Sequence, residues 1–198
     1  ISLGLVGSEM CIRDRGQLLR GNLDSSWRLE GRAVSEIIGQ ALPVSLQLGM
    51  TAFVFAIILG IPAGVIAAKR ARSSIDALVM IGALLGICLP SFVLGPLLAE
   101  LFGRQWHLVP VLGWSAADPS TWLLPALTLG LANAAYLARL TRAGMLETLQ
   151  QDFVRTARAK GLPEHVITWK HCLRGGLIPA CAYLGPAFAG VILSLIHI

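Results

Sequence analysis

Four stretches of the chain are almost free of charge: residues 43–68, 77–102, 122–140 and 177–192. A helix rises about 1.5 Å per residue and a bilayer core is about 30 Å thick, so about 20 apolar residues suffice to cross it. The first run, PVSLQLGMTAFVFAIILGIPAGVIAA, is long enough to cross with tilt; the fourth, LIPACAYLGPAFAGVI, falls a little short. Inside lipid every backbone N–H and C=O must be satisfied within the protein, which leaves helices or closed barrels. A barrel would alternate apolar and polar residues in segments of about ten, and these runs do not alternate. The expected fold is therefore all-α, an integral membrane helical bundle. Composition agrees: 55% of the 198 residues are hydrophobic and 14% charged, against about 25% charged in soluble domains, and mean hydropathy is +0.70.

The positive charge sets orientation. Net charge is +5, which in a soluble protein would point to nucleic acid, but Lys and Arg gather in loops that stay in the cytoplasm. No nucleic-acid partner is expected; membrane lipid is. Lys69, Arg70 and Arg72 follow the first run. Arg139, Arg142, Arg155, Arg158, Lys160, Lys170 and Arg174 follow the third, on the same side because two spans separate them. The other side holds Arg20, Arg28, Arg32 and Arg104. The count of ten to four places the long basic stretch, residues 141–176, in the cytoplasm. Residues 16–40 then read as an extracytoplasmic loop, with Ser35-EIIGQA-Leu42 starting a short surface helix. Residues 103–121 form another loop, whose Trp106 and Trp114, with Trp122, suit the membrane boundary.

Both ends read as foreign. Leu5-VGSEMCIR-Asp14 back-translates into a common transposon-based sequencing adapter, and Leu193-SLIH-Ile198 into the reverse complement of its last part. Residues 1–15 and 193–198 are thus expected to be adapter-derived, around a fragment open at both ends whose membrane domain occupies residues 41–192.

Within the spans, Gly49, Gly60 and Gly64 offer small surfaces for close helix contact, and Pro62 is expected to bend the first helix. Pro90 and Pro96 should kink or unwind the second. Cys11, Cys88, Cys172 and Cys181 form no CxxC pair or metal-ligand spacing, so neither a disulfide nor a metal is expected. His107, His165 and His171 are single and loop-placed, without the positioned partner that general-base work needs. Nothing resembles a nucleophile triad, and no GxxxxGK[ST] phosphate loop is present. The chain is therefore not expected to be an enzyme or to hydrolyse ATP.

The cytoplasmic stretch reads as two short helices around a corner. Asp152 and Lys160 suit the dipole at the two ends of the first. Gly161 can take the left-handed conformation that ends it, and Pro163 can open the second. Phe153 and Ala157, four apart, are expected to share a face, with Arg155, Arg158 and Lys160 available to acidic or carbonyl partners. A basic helix lying on anionic headgroups is the plainer alternative, but it would need a broader apolar face than Ala157, Ala159 and Gly161 provide.

This segment resembles the cytoplasmic motif of binding-protein-dependent (MetI-like) ABC importer permeases: Glu-Ala-Ala, three residues, Gly, nine residues, Ile-x-Leu-Pro. Here Arg155-Thr156-Ala157 stands for the first part, Gly161 for the glycine, and His171-Cys172-Leu173-Arg174 for the end; only Ala157, Gly161 and Leu173 match. The departures are those of the peptide-permease branch, whose version Phe-x-Arg-Thr-Ala-Arg-Ala-Lys-Gly-Leu is met without mismatch by Phe153-VRTARAKG-Leu162. The likeness extends to Leu18-LRGN-Leu23, Leu42-PVSLQ-Leu48, Pro90-Ser-Phe92 and Leu184-GPAFA-Gly190.

The resemblance implies the transmembrane subunit of an ATP-driven importer of di- or oligopeptides, in the bacterial inner membrane. It implies a coupling element formed by Asp152, Phe153, Val154, Arg155, Thr156, Ala157, Arg158, Ala159, Lys160, Gly161 and Leu162. Its implied partners are two cytoplasmic ABC ATPase subunits, a second homologous permease subunit and an extracytoplasmic substrate-binding protein. ATP would be bound by the partners, and this chain would hold no cofactor. Pro90, Ser91, Phe92, Tyr183 and Phe188 are candidates for the translocation path, because irregular or small-residue backbone at membrane depth must face protein or a cavity. The alternatives are a same-family permease for nickel, glutathione or another small solute, and an ATP-independent secondary transporter.

Overall fold

The computed structural model describes residues 31–111, 113, 115 and 118–196. The sequence features placed on residues 1–30, including both the N-terminal adapter reading and Leu18-LRGN-Leu23, lie outside them, as does Trp114. Among the described residues seven helices follow one another: α1 Val34–Lys69, α2 Ser74–Cys88, α3 Ser91–Gln105 (π-helical from Ala99), α4 Ser120–Leu149, α5 Asp152–Ala159, α6 Glu164–Gly176 (π-helical over Ile167–Cys172) and α7 Ile178–Ile196. No strand element occurs among the described residues, and the protein is an all-α membrane bundle. The chain forms two compact units, residues 1–45 and Leu46–Ile198; the described part of the first is the start of α1, and the site lies wholly in the second.

α1 and α4 are each long and apolar enough to cross a membrane. The α2/α3 and α6/α7 pairs also qualify if each is one bent span, which brings the total to four. The α2/α3 bend is 108°, and its cause is local. Proline disfavours the α region for the residue before it, and Leu89 is extended at φ −77°, ψ 117°. Pro90, itself extended, then starts α3, its carbonyl accepting from the N–H groups of Val93 and Leu94. α1, by contrast, is continuous through Pro62. It also begins at Val34, so residues 34–40, read as loop and surface helix, belong to the long helix.

α4 is the axis of the second unit: α2, α3, α6 and α7 all pack on it, and so does α1 from Ala52 onward. In lipid there is no hydrophobic gain between helices, so close contact rests on small residues. A Cβ added to Gly60 would lie 2.5 Å from the Ala134 carbonyl oxygen, and one on Gly64 2.5 Å from that of Ala138. Gly130 repeats this from the other helix, against the carbonyl of Ala52. The backbones therefore touch at three levels. Because this packing continues below the apolar run, α4 does not stop at residue 140. It extends to Leu149, with Thr141, Met145 and Thr148 buried, and the stretch read as beginning at residue 141 contains about two and a half further turns of this helix.

A candidate coupling site beyond the end of α4

Below α4 the chain turns at Gln150 and Gln151 and forms α5. Asp152 sits in its first turn, where a negative side chain suits the dipole. The helix ends in a Schellman motif. Gly161 lies at φ +75°, a conformation glycine adopts without the Cβ clash. Its N–H donates to the Arg158 carbonyl at 2.9 Å, and that of Leu162 to the Ala157 carbonyl at 3.3 Å. Both bonds satisfy carbonyls that a helix end leaves orphaned. Pro163 then caps α6 from outside, extended at φ −67°, ψ 143°, and Glu164 is the first helical residue.

α5 has two faces. Val154 and Ala157 are buried in a cluster with Val65 and Ala68 of α1, Met145 of α4, and Ile167 and Cys172 of α6. Full burial of a valine is worth about 1.5–3 kcal/mol, so the helix is fixed to the protein along this edge. The buried pair is Val154 and Ala157, three apart; Phe153, expected to share the Ala157 face, is instead 47% exposed. It borders a groove of about 480 Å³ together with Gly144, Glu147, Thr148, Gln151, Gly175, Ile178 and Pro179.

The other face of α5 carries Asp152, Phe153, Arg155, Thr156, Arg158, Ala159 and Lys160, all exposed. Arg155 lies 3.4 Å from Asp152. Arg158 forks onto Glu164, with Nε donating to Oε1 at 2.7 Å and Nη2 to Oε2 at 3.4 Å. This guanidinium holds the Glu164 carboxyl below the usual carboxylate range. The structure thus brings residues 152–162 together as one ridge, anchored from beneath and charged on top.

The candidate path residues do not form one cluster. Pro90, Ser91 and Phe92 are exposed at the α2/α3 break, Phe92 most of all at 77%. Phe188 meets Phe53 of α1 edge-on at 5.2 Å. Tyr183 donates its hydroxyl proton to Asn133 Oδ1 at 2.9 Å and stacks on Tyr136 at 5.7 Å.

Two polar arrangements escape a reading of the sequence. One is this Asn133–Tyr136–Tyr183 group between α4 and α7, where Asn133 is hidden inside an apolar run. The other joins Asp76 to Arg142, which are 66 positions apart. Arg142 donates from Nε to Oδ1 at 2.5 Å and from Nη2 to Oδ2 at 2.7 Å. No local pattern links such residues.

A helical membrane bundle carrying an anchored basic ridge on a rigid corner has the build of a transport subunit. The chain belongs to the family described as binding-protein-dependent transport system inner membrane component, whose sequence profile matches residues 60–198. It is 42% identical over 176 residues to the oligopeptide transport system permease protein OppB of Escherichia coli (strain K12), covering 89% of this chain and 58% of that protein. To the dipeptide transport system permease protein DppB of Bacillus subtilis (strain 168) it is 41% identical over 160 residues, covering 81% and 51%. The DppB of Lactococcus lactis subsp. cremoris (strain MG1363) is 36% identical over 177 residues, covering 89% and 58%. The chain thus spans 51–58% of the length of these relatives.

Proposed function

We propose that this chain is part of the transmembrane subunit of an ATP-driven peptide importer, and that α5 with its Gly161 corner receives the movement of a separate ATPase. The observation that carries this is the two-sided build of α5. Val154 and Ala157 tie it to α1, α4 and α6, while Phe153, Arg155 and Lys160 are exposed to a docking partner. A helix anchored on one edge to several spans passes on a push as rigid-body motion. The basic count on this side supports a cytoplasmic ridge, where ATPase subunits work. In this reading two ATPase subunits, a second permease subunit and an extracytoplasmic binding protein complete the machine. ATP biases the bundle between inward- and outward-facing states, and the nucleotide is bound outside this chain. Peptide is favoured as cargo because the similar proteins are named for oligopeptide and dipeptide transport.

The test uses the full-length subunit reconstituted with its partners in vesicles. Labelled peptide should accumulate only with ATP. Phe153→Asp and Arg155→Glu should release the ATPase on co-purification and abolish uptake while leaving the permease folded. Uptake that persists without ATP, or with the ATPase removed, would establish the secondary-transporter alternative instead.

A further inference from the structure

The Asp76–Arg142 pair lies where three elements converge. Asp76 is in the first turn of α2, three residues after the N-cap Ser73, whose Oγ accepts from the Asp76 N–H at 3.4 Å. Its Oδ2 also accepts from the N–H of Arg72 at 2.9 Å. Arg72 is held at φ +64°, a left-handed conformation that disfavours a side chain, in the turn joining α1 to α2. One carboxylate therefore organises that turn and receives the guanidinium of α4. The side chains of Arg142 and Asp76 are 27% and 6% exposed, so the pair is largely withdrawn from solvent. A two-pronged Arg–carboxylate contact fixes orientation as well as distance.

Three residues beyond Arg142 on α4 is Met145, fully buried in the cluster that holds Val154 and Ala157 of α5. On the α1 side of the same turn, a Cβ on Gly64 would lie 2.7 Å from Thr141 Cβ and 3.1 Å from the Arg142 backbone nitrogen. Less than one turn of α4 thus separates the seat of α5 from the fastening of α2. Beyond Cys88, α2 gives way to the 108° break and α3.

We infer that Asp76 and Arg142 are positioning residues that lock α2 to α4, so that the bent α2/α3 element follows any displacement of α5. The inference rests on the proposed coupling role of α5. Without the lock, α5 would still move α1 and α4 through its apolar cluster, but the start of α2 would be free to lag.

The experiment uses the reconstituted full-length complex, measuring ATP hydrolysis and peptide uptake together. Asp76→Asn and Arg142→Gln should each lower peptide moved per ATP by about tenfold, inside the usual range of coupling energies, while hydrolysis stays within about twofold. The double variant should be no worse than the worse single, because the two residues act as one unit. Arg142→Lys, which keeps the charge but not the fork, should recover part of the ratio. Equal loss of uptake and hydrolysis, additive singles, or no recovery with lysine would overturn the assignment. A second measurement needs no altered pair: spin labels at the exposed positions Leu78 and Arg139 should keep one separation through the ATP cycle. A change of several ångströms would show α2 moving independently and end the inference. Absence of ATP-driven uptake in the unaltered complex would instead remove the coupling role beneath it.

Discussion

Arg158 and Glu164 meet across the corner between α5 and α6, both oxygens of the carboxylate facing the guanidinium at 2.7 and 3.4 Å. Both side chains are about half exposed, and an exposed pair adds little to global stability. Its effect is local, holding the angle between two short helices that the Schellman turn already restricts. Glu164→Gln should therefore leave the unfolding temperature almost unchanged and speed hydrogen exchange at the amides of Gly161 and Leu162. Unchanged exchange would mean that the backbone motif alone sets the corner.

The same pair predicts a pH response. Hydrogen bonding to Arg158 depresses the Glu164 carboxyl. A group with a depressed folded pKa contributes its stabilisation above the unfolded pKa and loses it as pH falls through the folded value. Corner exchange rates, corrected for intrinsic chemistry, should stay flat from neutral to mildly acidic pH. They should rise only below the ordinary carboxylate range, and Glu164→Gln should abolish that rise.

Gly161 sits at φ +75°, and a Cβ added there would meet nothing within 4 Å, so a substitution brings strain without a clash. Left-handed backbone costs an L-residue about 1–2 kcal/mol, and asparagine tolerates it best. Unfolding of the purified full-length protein should rank Gly161, Asn, Ala and Val in falling order of stability. Peptide uptake per ATP should fall in the same order if the corner transmits motion. A valine variant as stable as the parent would mean the corner relaxes.

What can be foreseen divides along physical lines. Apolar length announces a span whatever surrounds it, and Pro90 and Gly161 act on their own backbone, so the break and the corner are legible in the sequence. The reach of α4 to Leu149 is not, because its last turns carry Thr141, Arg142, Glu147 and Thr148. Those residues look like loop until Gly64 and Gly175 close over Thr141 and Thr148. Asp76 and Arg142 read as two more loop charges, since only the folded chain brings them together. Phe153 departs from its expected face for a related reason. Spacing puts Phe153 beside Ala157 on the helix surface, but the packed elements decide where the buried edge runs, and it runs through Val154 and Ala157.

The α1–α4 crossing should be intolerant of bulk and tolerant of lost polarity. Gly64→Leu places atoms into the Ala138 carbonyl and Thr141, and overpacking of this kind costs about 1–3 kcal/mol. Among the described residues the buried Thr141 Oγ1 finds no hydrogen-bond partner. Thr141→Val keeps the shape and removes an unsatisfied hydroxyl, so it should be neutral or stabilising by about 1 kcal/mol. Thermal unfolding in detergent measures both. A destabilising valine would reveal a partner for that hydroxyl in the assembled protein.

Tyr183 and Asn133 separate a structural bond from a cargo contact. Their hydrogen bond ties α7 to α4 at 2.9 Å, and Tyr136 stacks on Tyr183 beside it. Polar side chains between membrane helices commonly serve as glue, worth about 0.6 kcal/mol each and at most about 1.7. Tyr183→Phe keeps the stacking and should lose about that amount. Asn133→Ala with Tyr183→Phe should be no worse than Asn133→Ala alone. Tyr136, 44% exposed, presents an aromatic face and a hydroxyl on the surface of α4. If this group borders the path, Tyr136→Ala raises the peptide KM with kcat and unfolding temperature nearly unchanged. A loss confined to stability would leave Tyr183 as the fastening of the fourth span, with the cargo passing elsewhere.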